Sequence, residues 1–368
     1  MLVTWAAATV VDVLATRPGV QELTTRTTAG EEIPALAYTD LVGELVMGDR
    51  VALNVTAFRQ HLGTGGYALV AAPDFDRLPS DEAVAGRLVK ARYTPTQASV
   101  AGPEEPVAGG RRMGDGEGQG HLDGLVVVVA DLHSALPAVL AGIREARPGV
   151  RVSYLMTDGG ALPIAFSRAV AGLLDADWLQ ATVTAGQAFG GTHEAVSLHS
   201  GLLVARHVQR ADVVVVSQGP GNLGTGTTWG FSGVVMGDAV NASAVLGGRT
   251  IASLRISGAD TRDRHHGVSH HCLTAYGQVA LRPADVVLPS MPGPGISPEL
   301  AGLVKGQVQG LASLHRLVDL DSDGLLDALG QVPVPLSSMG RGLDADPAYF
   351  VTAAAAGRHA AALANSAG

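Results

Sequence analysis

The run RDRHHGVSHH, residues 262–271, is the densest group of side chains in the sequence that can carry proton or metal chemistry. Histidine titrates near neutral pH, so its imidazole can accept a proton, donate one or bind a metal ion. His266 and His270 are predicted to supply acid/base chemistry. The cofactor is undetermined and a divalent metal is one option, although HExxH and paired-cysteine spacings are absent. The predicted metal ligands are His265, His266, His270 and His271.

The charged residues of the same run allow two interpretations. Arg262 and Arg264 are predicted to complement the charge of an anionic ligand. Alternatively, they pair with Asp260 and Asp263 and hold the loop shut. Ser269 is predicted to cap the helix that follows, which would place the next two histidines in its first turn.

A glycine-rich loop, GPGNLGTGT (residues 219–227), follows an apolar run and is predicted to bind a ligand. Its formal GxGxxG pattern does not indicate a dinucleotide site, because TGTT separates it from the next helix and no acidic residue follows at ribose-binding distance. It also lacks the lysine of a Walker loop. Backbone N–H groups and threonine hydroxyls could instead hold a phosphate or carboxylate. The predicted ligand-binding residues of this loop are Gly219, Gly221, Asn222, Gly224, Thr225, Gly226 and Thr227.

Apolar runs alternate with helical patterns from Leu122 onwards. Runs without polar alternation, such as Val213 to Val216, are typical of strands covered on both faces. We therefore predict a doubly wound, mostly parallel sheet with helices on both faces. The predicted helices include 194–209 and 268–279, and the chain beyond Pro289 is predicted to be mostly helical.

Polar and glycine-bearing segments follow each of the first five predicted strands of this sheet. In parallel sheets these segments share one edge, where ligands bind. The alternative is that such residues only form turns and helix caps. The additional catalytic candidates at these strand ends are Asp131, His133, Asp158 and His193.

The first hundred residues show a different pattern, of short β-rich pieces separated by turn signals. This spacing predicts a small all-β barrel or sandwich domain over 1–100. Residues 101–121 are rich in glycine, proline and charge, which indicates a linker or mobile loop. The α/β domain is predicted to span 122–368, ending in a helical region.

Composition narrows the classes of function. The 368 residues carry a net charge of −9 and only 4% aromatics, which argues against a nucleic-acid partner. Cys272 is the only cysteine, so no internal disulfide forms, and we expect a buried thiol in a reducing compartment. The N-terminal apolar stretch has no basic segment and contains Asp12, which favours a strand over an export signal. We expect a cytoplasmic protein without membrane association.

Three strings give the chain a family resemblance: GPGNLGTGTTWGFSG, ISGADTRDRHHGVSHHCLTA and SMGRGLDADPAYFVTAAAAGRHAA. With these strings the chain resembles, over essentially its whole length, a bacterial family catalogued only as a domain of unknown function. The resemblance implies no activity, substrate or cofactor.

The favoured hypothesis is an enzyme that hydrolyses, or transfers a group from, a small anionic metabolite carrying phosphate or carboxylate. One alternative is a sensor or partner-binding module that binds a metabolite without chemistry. Another is a structural protein that forms homo-oligomers, using the alanine-rich C-terminal helix for close packing.

The isolated histidines are expected at the surface: His61, His121, His207, His315 and His359.

Overall fold

A computed structural model describes residues 2–74, 86–105 and 120–364. The chain divides into two compact units, the first comprising residues 1–101 and 165–171 and the second comprising 102–164 and 172–368. Most of the linker predicted for 101–121 lies outside the described residues, which omit 106–119.

The first unit contains a closed barrel, so the prediction of a small β domain is confirmed, as a barrel and not a sandwich. Within the described residues the barrel has five strands in the order β1-β2-β3-β5-β4. Apolar side chains such as Leu23, Ile33 and Leu53 fill its interior. The elements of this unit are β1 (Trp5–Arg17), β2 (Val20–Thr27), β3 (Glu32–Ala37), α1 (Thr39–Val42), β4 (Arg50–Asn54), α2 (Thr56–Arg59), β5 (Ala68–Pro73), β6 (Leu88–Lys90) and β7 (Ala98–Val100).

The second unit is built on one large sheet, and the predicted doubly wound α/β fold is confirmed. In the described part of the chain its eight strands are all parallel, in the order β11-β10-β9-β12-β8-β13-β16-β17. The strands of this unit are β8 (Val126–Ala130), β9 (Val152–Thr157), β10 (Ala181–Ala185), β11 (His193–Ala195), β12 (Val213–Gln218), β13 (Arg249–Ser253), β14 (Ile256–Ser257), β15 (Gly267–Val268), β16 (Asp285–Pro289) and β17 (Arg316–Leu320). β14 and β15 form a separate antiparallel pair.

Valine-rich strands occupy the middle of the sheet because helices bury both of its faces. Val127 and Val129 of β8 share a core with Leu202 and Val240, which lie on two helices of one layer. The helices are α3 (Leu136–Ala146), α4 (Arg168–Asp175), α5 (Leu198–His207), α6 (Met236–Val245), α7 (His270–Thr274), α8 (Pro298–Val308), α9 (Leu325–Gly330) and α10 (Pro347–Leu363). A π-helix (Ala275–Val279) continues α7.

The alanine-rich helix α10 is mostly buried within the second unit, so most of its small residues contact other parts of that unit. It is buried along most of its length and packs on α3. A Cβ on Gly142 would lie 1.8 Å from the Ala354 carbonyl oxygen, and one on Gly357 would lie 1.9 Å from that of Val139. Small residues allow close packing here, as expected, but between two helices of one unit.

One local prediction was wrong at its start. The segment predicted as helix 194–209 begins with edge strand β11, and helix α5 starts only at Leu198. The predicted helix 268–279 is helical from His270 onwards, and the region beyond Pro289 contains α8, α9 and α10 besides one strand, β17. β11 pairs with β10 at the edge of the sheet, so tertiary pairing overrides its local pattern.

His315 and His359 are buried, whereas the sequence predicts both at the surface. The Nδ1 of His315 accepts a hydrogen bond from the Ala284 N–H, and its Nε2 lies 2.7 Å from the Tyr276 carbonyl oxygen. His359 Nε2 lies 2.7 Å from the Asp285 carboxylate. Each imidazole is buried because a polar partner from another element satisfies it.

None of the helices in the described ranges combines the length and apolar character needed to cross a membrane.

Candidate functional site

Asp131 occupies the centre of the sheet's carboxyl edge. It directly follows β8, which lies between β12 and β13. Its side chain is buried, and its Oδ2 lies 3.9 Å from the Nδ1 of His271. Arg255, which follows β13, is close enough to influence the carboxyl electrostatically. The ends of β8 and β13, together with helix α7, therefore bring a carboxylate, a guanidinium and an imidazole together.

A short hairpin carries the arginine- and histidine-rich run to this point. β14 and β15 pair Ile256 with Val268 and Ser257 with Gly267, which closes residues 258–266 into a loop. Gly267 has φ +74°, and a Cβ there would lie 2.3 Å from the Gln307 side-chain oxygen. That oxygen accepts a hydrogen bond from the Val268 N–H. Glycine is required at 267 because both the turn and the approach of helix α8 exclude a side chain.

Three of the four predicted metal ligands form one cluster. His265, His270 and His271 each offer a ligand atom, and these atoms all lie within 4.8 Å of one another. Adjacent ring centroids are 4.4–5.0 Å apart. Phe231 stacks on His271 with a centroid distance of 3.9 Å and an interplanar angle of 3°. The fourth predicted ligand, His266, is exposed and lies outside the cluster.

Ser269 contacts two of the three clustered histidines. Its side chain caps α7 by accepting from the His271 N–H, which confirms the predicted cap. The same hydroxyl lies 2.8 Å from His265 Nδ1. When that nitrogen donates to Ser269, the lone pair of His265 is on Nε2, the other ring nitrogen.

Three buried polar atoms at this centre have no hydrogen-bond partner among the residues that the structure describes. They are His270 Nε2, His271 Nδ1 and Asp131 Oδ2. Buried polar groups in proteins are nearly always satisfied, and unsatisfied ones mark catalytic sites or missing ions and waters. The cluster therefore has donor atoms to offer a ligand.

Burial sets the protonation states of the cluster. It raises the pKa of Asp131 to about 6, against an opposing effect of Arg255. It lowers the pKa of His265 to about 3, with Arg255 adding to the shift. It likewise lowers the pKa of His271 to about 3, aided by the two neighbouring histidines. Burial, followed by Arg264, lowers the pKa of His270. At pH 7 the site holds neutral imidazoles beside a carboxylate.

A network of arginines and aspartates borders the cluster. Asp260 is buried and accepts hydrogen bonds from Arg262 (2.7 and 2.9 Å), Arg341 (3.1 Å) and Arg255 (3.2 Å). Hydrogen bonds from Arg262 hold the pKa of Asp260 far below its usual range. Arg341 also pairs with Asp346 at 3.1 Å. The alternative that Arg262 pairs within its own loop is therefore observed.

The glycine-rich loop is an exposed, self-bonded turn. Thr225 and Thr227 lie 3.0 Å apart through their hydroxyls, and both bond to the Gly230 backbone. Asn222 accepts from the Ser232 hydroxyl at the base of the loop. A Cβ on Gly226 would lie 3.6 Å from the guanidinium carbon of Arg264. The remaining predicted positions, Gly219, Gly221 and Gly224, lie in the same loop, with Gly219 buried at its start.

Contacts link the neighbouring strand ends along the edge. Asp158, exposed after β9, accepts from the Gln187 N–H after β10. A Cβ on Gly160 would lie 2.2 Å from the Gly219 carbonyl oxygen after β12. Gln218 then donates to the backbone carbonyl of the central aspartate. The segments that follow β10, β9, β12 and β8 therefore contact one another in turn along this edge.

His133 and His193 lie outside the histidine cluster. His133 Nδ1 lies 2.8 Å from the Tyr154 hydroxyl, which is 2.9 Å from Ser217 Oγ. Burial lowers the pKa of His133 to about 4. His193 starts the edge strand β11, and its Nδ1 lies 3.0 Å from Gln209 Nε2. The structure thus places these candidates in separate polar contacts.

Sequence reasoning missed Arg255, Gln218 and Phe231. Arg255 interrupts the otherwise apolar SLRIS segment, and Gln218 ends the valine run of β12, so both gave a weak signal. Phe231 gave none, because its contact with the histidines depends on the tertiary fold. Cys272 is a buried core thiol as expected, its Sγ accepting from the Arg255 N–H, and burial raises its pKa.

Comparison with known proteins gives a family without an assigned activity. Residues 34–357 match the family described as Protein of unknown function (DUF3866). No curated protein and no solved structure matches the chain. The match spans most of the sequence, so the chain belongs to the family of proteins of unknown function DUF3866.

Proposed function

We propose that the protein is an enzyme that hydrolyses, or transfers a group from, a small phosphorylated or carboxylated metabolite. The metabolite would bind at the carboxyl edge of the large parallel sheet, the usual ligand position in this architecture. One observation carries the proposal: in the described structure the buried Oδ2 of Asp131 has no hydrogen-bond partner and lies 3.9 Å from Nδ1 of the unprotonated His271 imidazole, at the centre of that edge. Such perturbed, convergent groups are typical of reacting centres.

The protonation states suit proton transfer near neutral pH. A carboxyl group whose pKa is about 6 exchanges protons readily at pH 7. His270 is half-buried and is the most exposed of the three clustered imidazoles. Asp131 and His270 are therefore the side chains that we assign to the reacting centre.

The charges around the centre include more cations than carboxylates once Arg264 is counted. Three guanidinium groups, those of Arg255, Arg262 and Arg341, share two carboxylates, Asp260 and Asp346. The Asp131 carboxylate offsets the third guanidinium, so Arg264 supplies the positive charge that supports an anionic ligand over a neutral one.

Arg264 adds an available cation at the same edge. In the described part of the chain it forms no ion pair, and it lies against Gly226 of the glycine-rich loop. It also acts electrostatically on His270. We therefore propose that Arg264 and this loop form the anion-recognising side of the site.

Turnover of a panel of phosphorylated and carboxylated metabolites tests the function. We expect at least one class to be converted, with Asp131→Asn lowering kcat by about 100-fold or more. The exposed carboxylate of Asp263 provides a matched control, and Asp263→Asn should leave kcat unchanged. Tight retention of an unaltered metabolite without conversion of any panel member would instead assign a sensor.

A further inference from the structure

We propose that His265, His270 and His271 bind one divalent transition-metal ion through three imidazole nitrogens, with Asp131 beside it. The proposed function places its chemistry at this same site. Binding of the ion does not rest on that proposed function; only the reaction in which the ion would take part does. Three imidazoles beside a carboxylate match zinc, iron, cobalt or nickel better than magnesium or calcium, which prefer oxygen ligands.

Each histidine presents a nitrogen that suits metal binding. The hydroxyl of Ser269 occupies Nδ1 of His265, so its Nε2 is the remaining donor. His270 Nε2 and His271 Nδ1 are buried without hydrogen-bond partners in the described structure. The Ser269 contact is the outer hydrogen bond that metal-bound histidines usually make.

The spacing of the donors is close to that of a bound ion. Ligands of a tetrahedral zinc, each about 2.0–2.1 Å from the metal, lie about 3.3 Å from one another. One ligand nitrogen of each histidine lies within 4.8 Å of the other two, so an ion would draw the three nitrogens together by up to about 1.5 Å. Three protein ligands leave one position for water or substrate, as in catalytic zinc sites.

The charges near the cluster are compatible with a cation. Arg255 would oppose a positive ion, but its guanidinium lies 3.2 Å from the buried carboxylate of Asp260. Asp131 adds a negative charge, its Oδ2 lying 3.9 Å from His271 Nδ1. Arg264 borders the same site, so an anionic substrate could bind both the ion and this guanidinium. An ion there would polarise a phosphoryl or carboxyl oxygen and lower the pKa of bound water.

Zinc binding by the purified full-length protein, freed of metal with a chelator, tests the inference without any substrate. We expect one Zn²⁺ per chain by calorimetry and by elemental analysis. His270→Ala should weaken zinc binding by more than about 100-fold. A loss of about 100-fold is the most that removal of a hydrogen-bond partner of a metal ligand causes, so a larger loss indicates a ligand. Ser269→Ala should weaken zinc binding by about 10–100-fold.

His266→Ala is the matched control, because this exposed residue shares the loop but lies outside the cluster. It should bind zinc like the wild type; loss in this variant equal to that in His270→Ala would overturn the proposed ligand set. Circular dichroism of each variant separates lost binding from unfolding. Wild-type protein that takes up no zinc rejects the metal site, while loss of turnover in Asp131→Asn would still support the proposed function.

Discussion

Replacing Asp260 by asparagine should destabilise the protein more than any other single loss of charge at the site. Asparagine keeps the shape but removes the charge that three guanidinium groups share. Arg262 and Arg341 are 37% and 24% exposed and can recover hydration, whereas Arg255 is 3% exposed and would stay buried without its counter-ion. Breaking a buried ion pair on one side costs about 3–5 kcal/mol, and we expect a loss in this range.

Urea unfolding at pH 7, followed by circular dichroism, measures this loss. Asp263→Asn, an exposed change in the same loop, should alter the free energy of unfolding by less than about 0.5 kcal/mol. The hydrogen bonds from Arg262 lower the pKa of Asp260, so its contribution is present above the unfolded pKa of about 3.9 and is lost below it. A deficit below about 1 kcal/mol for Asp260→Asn, or an equal deficit for the control, would refute this reasoning.

Three further changes probe other parts of the account. Gly357→Ala should destabilise by about 1–3 kcal/mol because its Cβ meets the α3 backbone, whereas Gly149→Ala, with open space around it, should be neutral in thermal unfolding. Burial raises the pKa of the Asp285 carboxyl, but hydrogen bonds from an arginine and His359 have the larger, opposite effect, so the pKa is lowered. Asp285→Asn should therefore lower the melting temperature at pH 7, and this loss should shrink as the pH falls below the unfolded pKa of about 3.9; a loss that stays the same over this range would contradict the prediction. Arg264→Gln should weaken calorimetric binding of inorganic phosphate and reduce its salt dependence; unchanged binding would remove this residue from the anion site.

The strand ends were predictable from sequence because parallel strands place them on one edge. Unbroken runs such as Val213–Val216 indicated buried parallel strands, and Asp131 follows another such run. The order of strands could not be predicted, because it depends on long-range pairing and not on local pattern.

The histidine run was predictable as a group but not residue by residue. Which of His265 and His266 turns inward depends on the two-residue ladder and on the positive φ of Gly267, neither of which the spacing reveals. The aromatic partner Phe231 lies in another loop, so only the fold brings it to the cluster.

A zinc-loaded crystal measured on both sides of the zinc absorption edge would show whether the three clustered histidines hold a metal ion. We predict one anomalous peak per chain, about 2.0–2.1 Å from one nitrogen each of His265, His270 and His271. The peak should lie beside Asp131, at the middle of the carboxyl edge. A well-folded, zinc-soaked protein with no peak there, or with its zinc on His266 or at another face, would contradict the account.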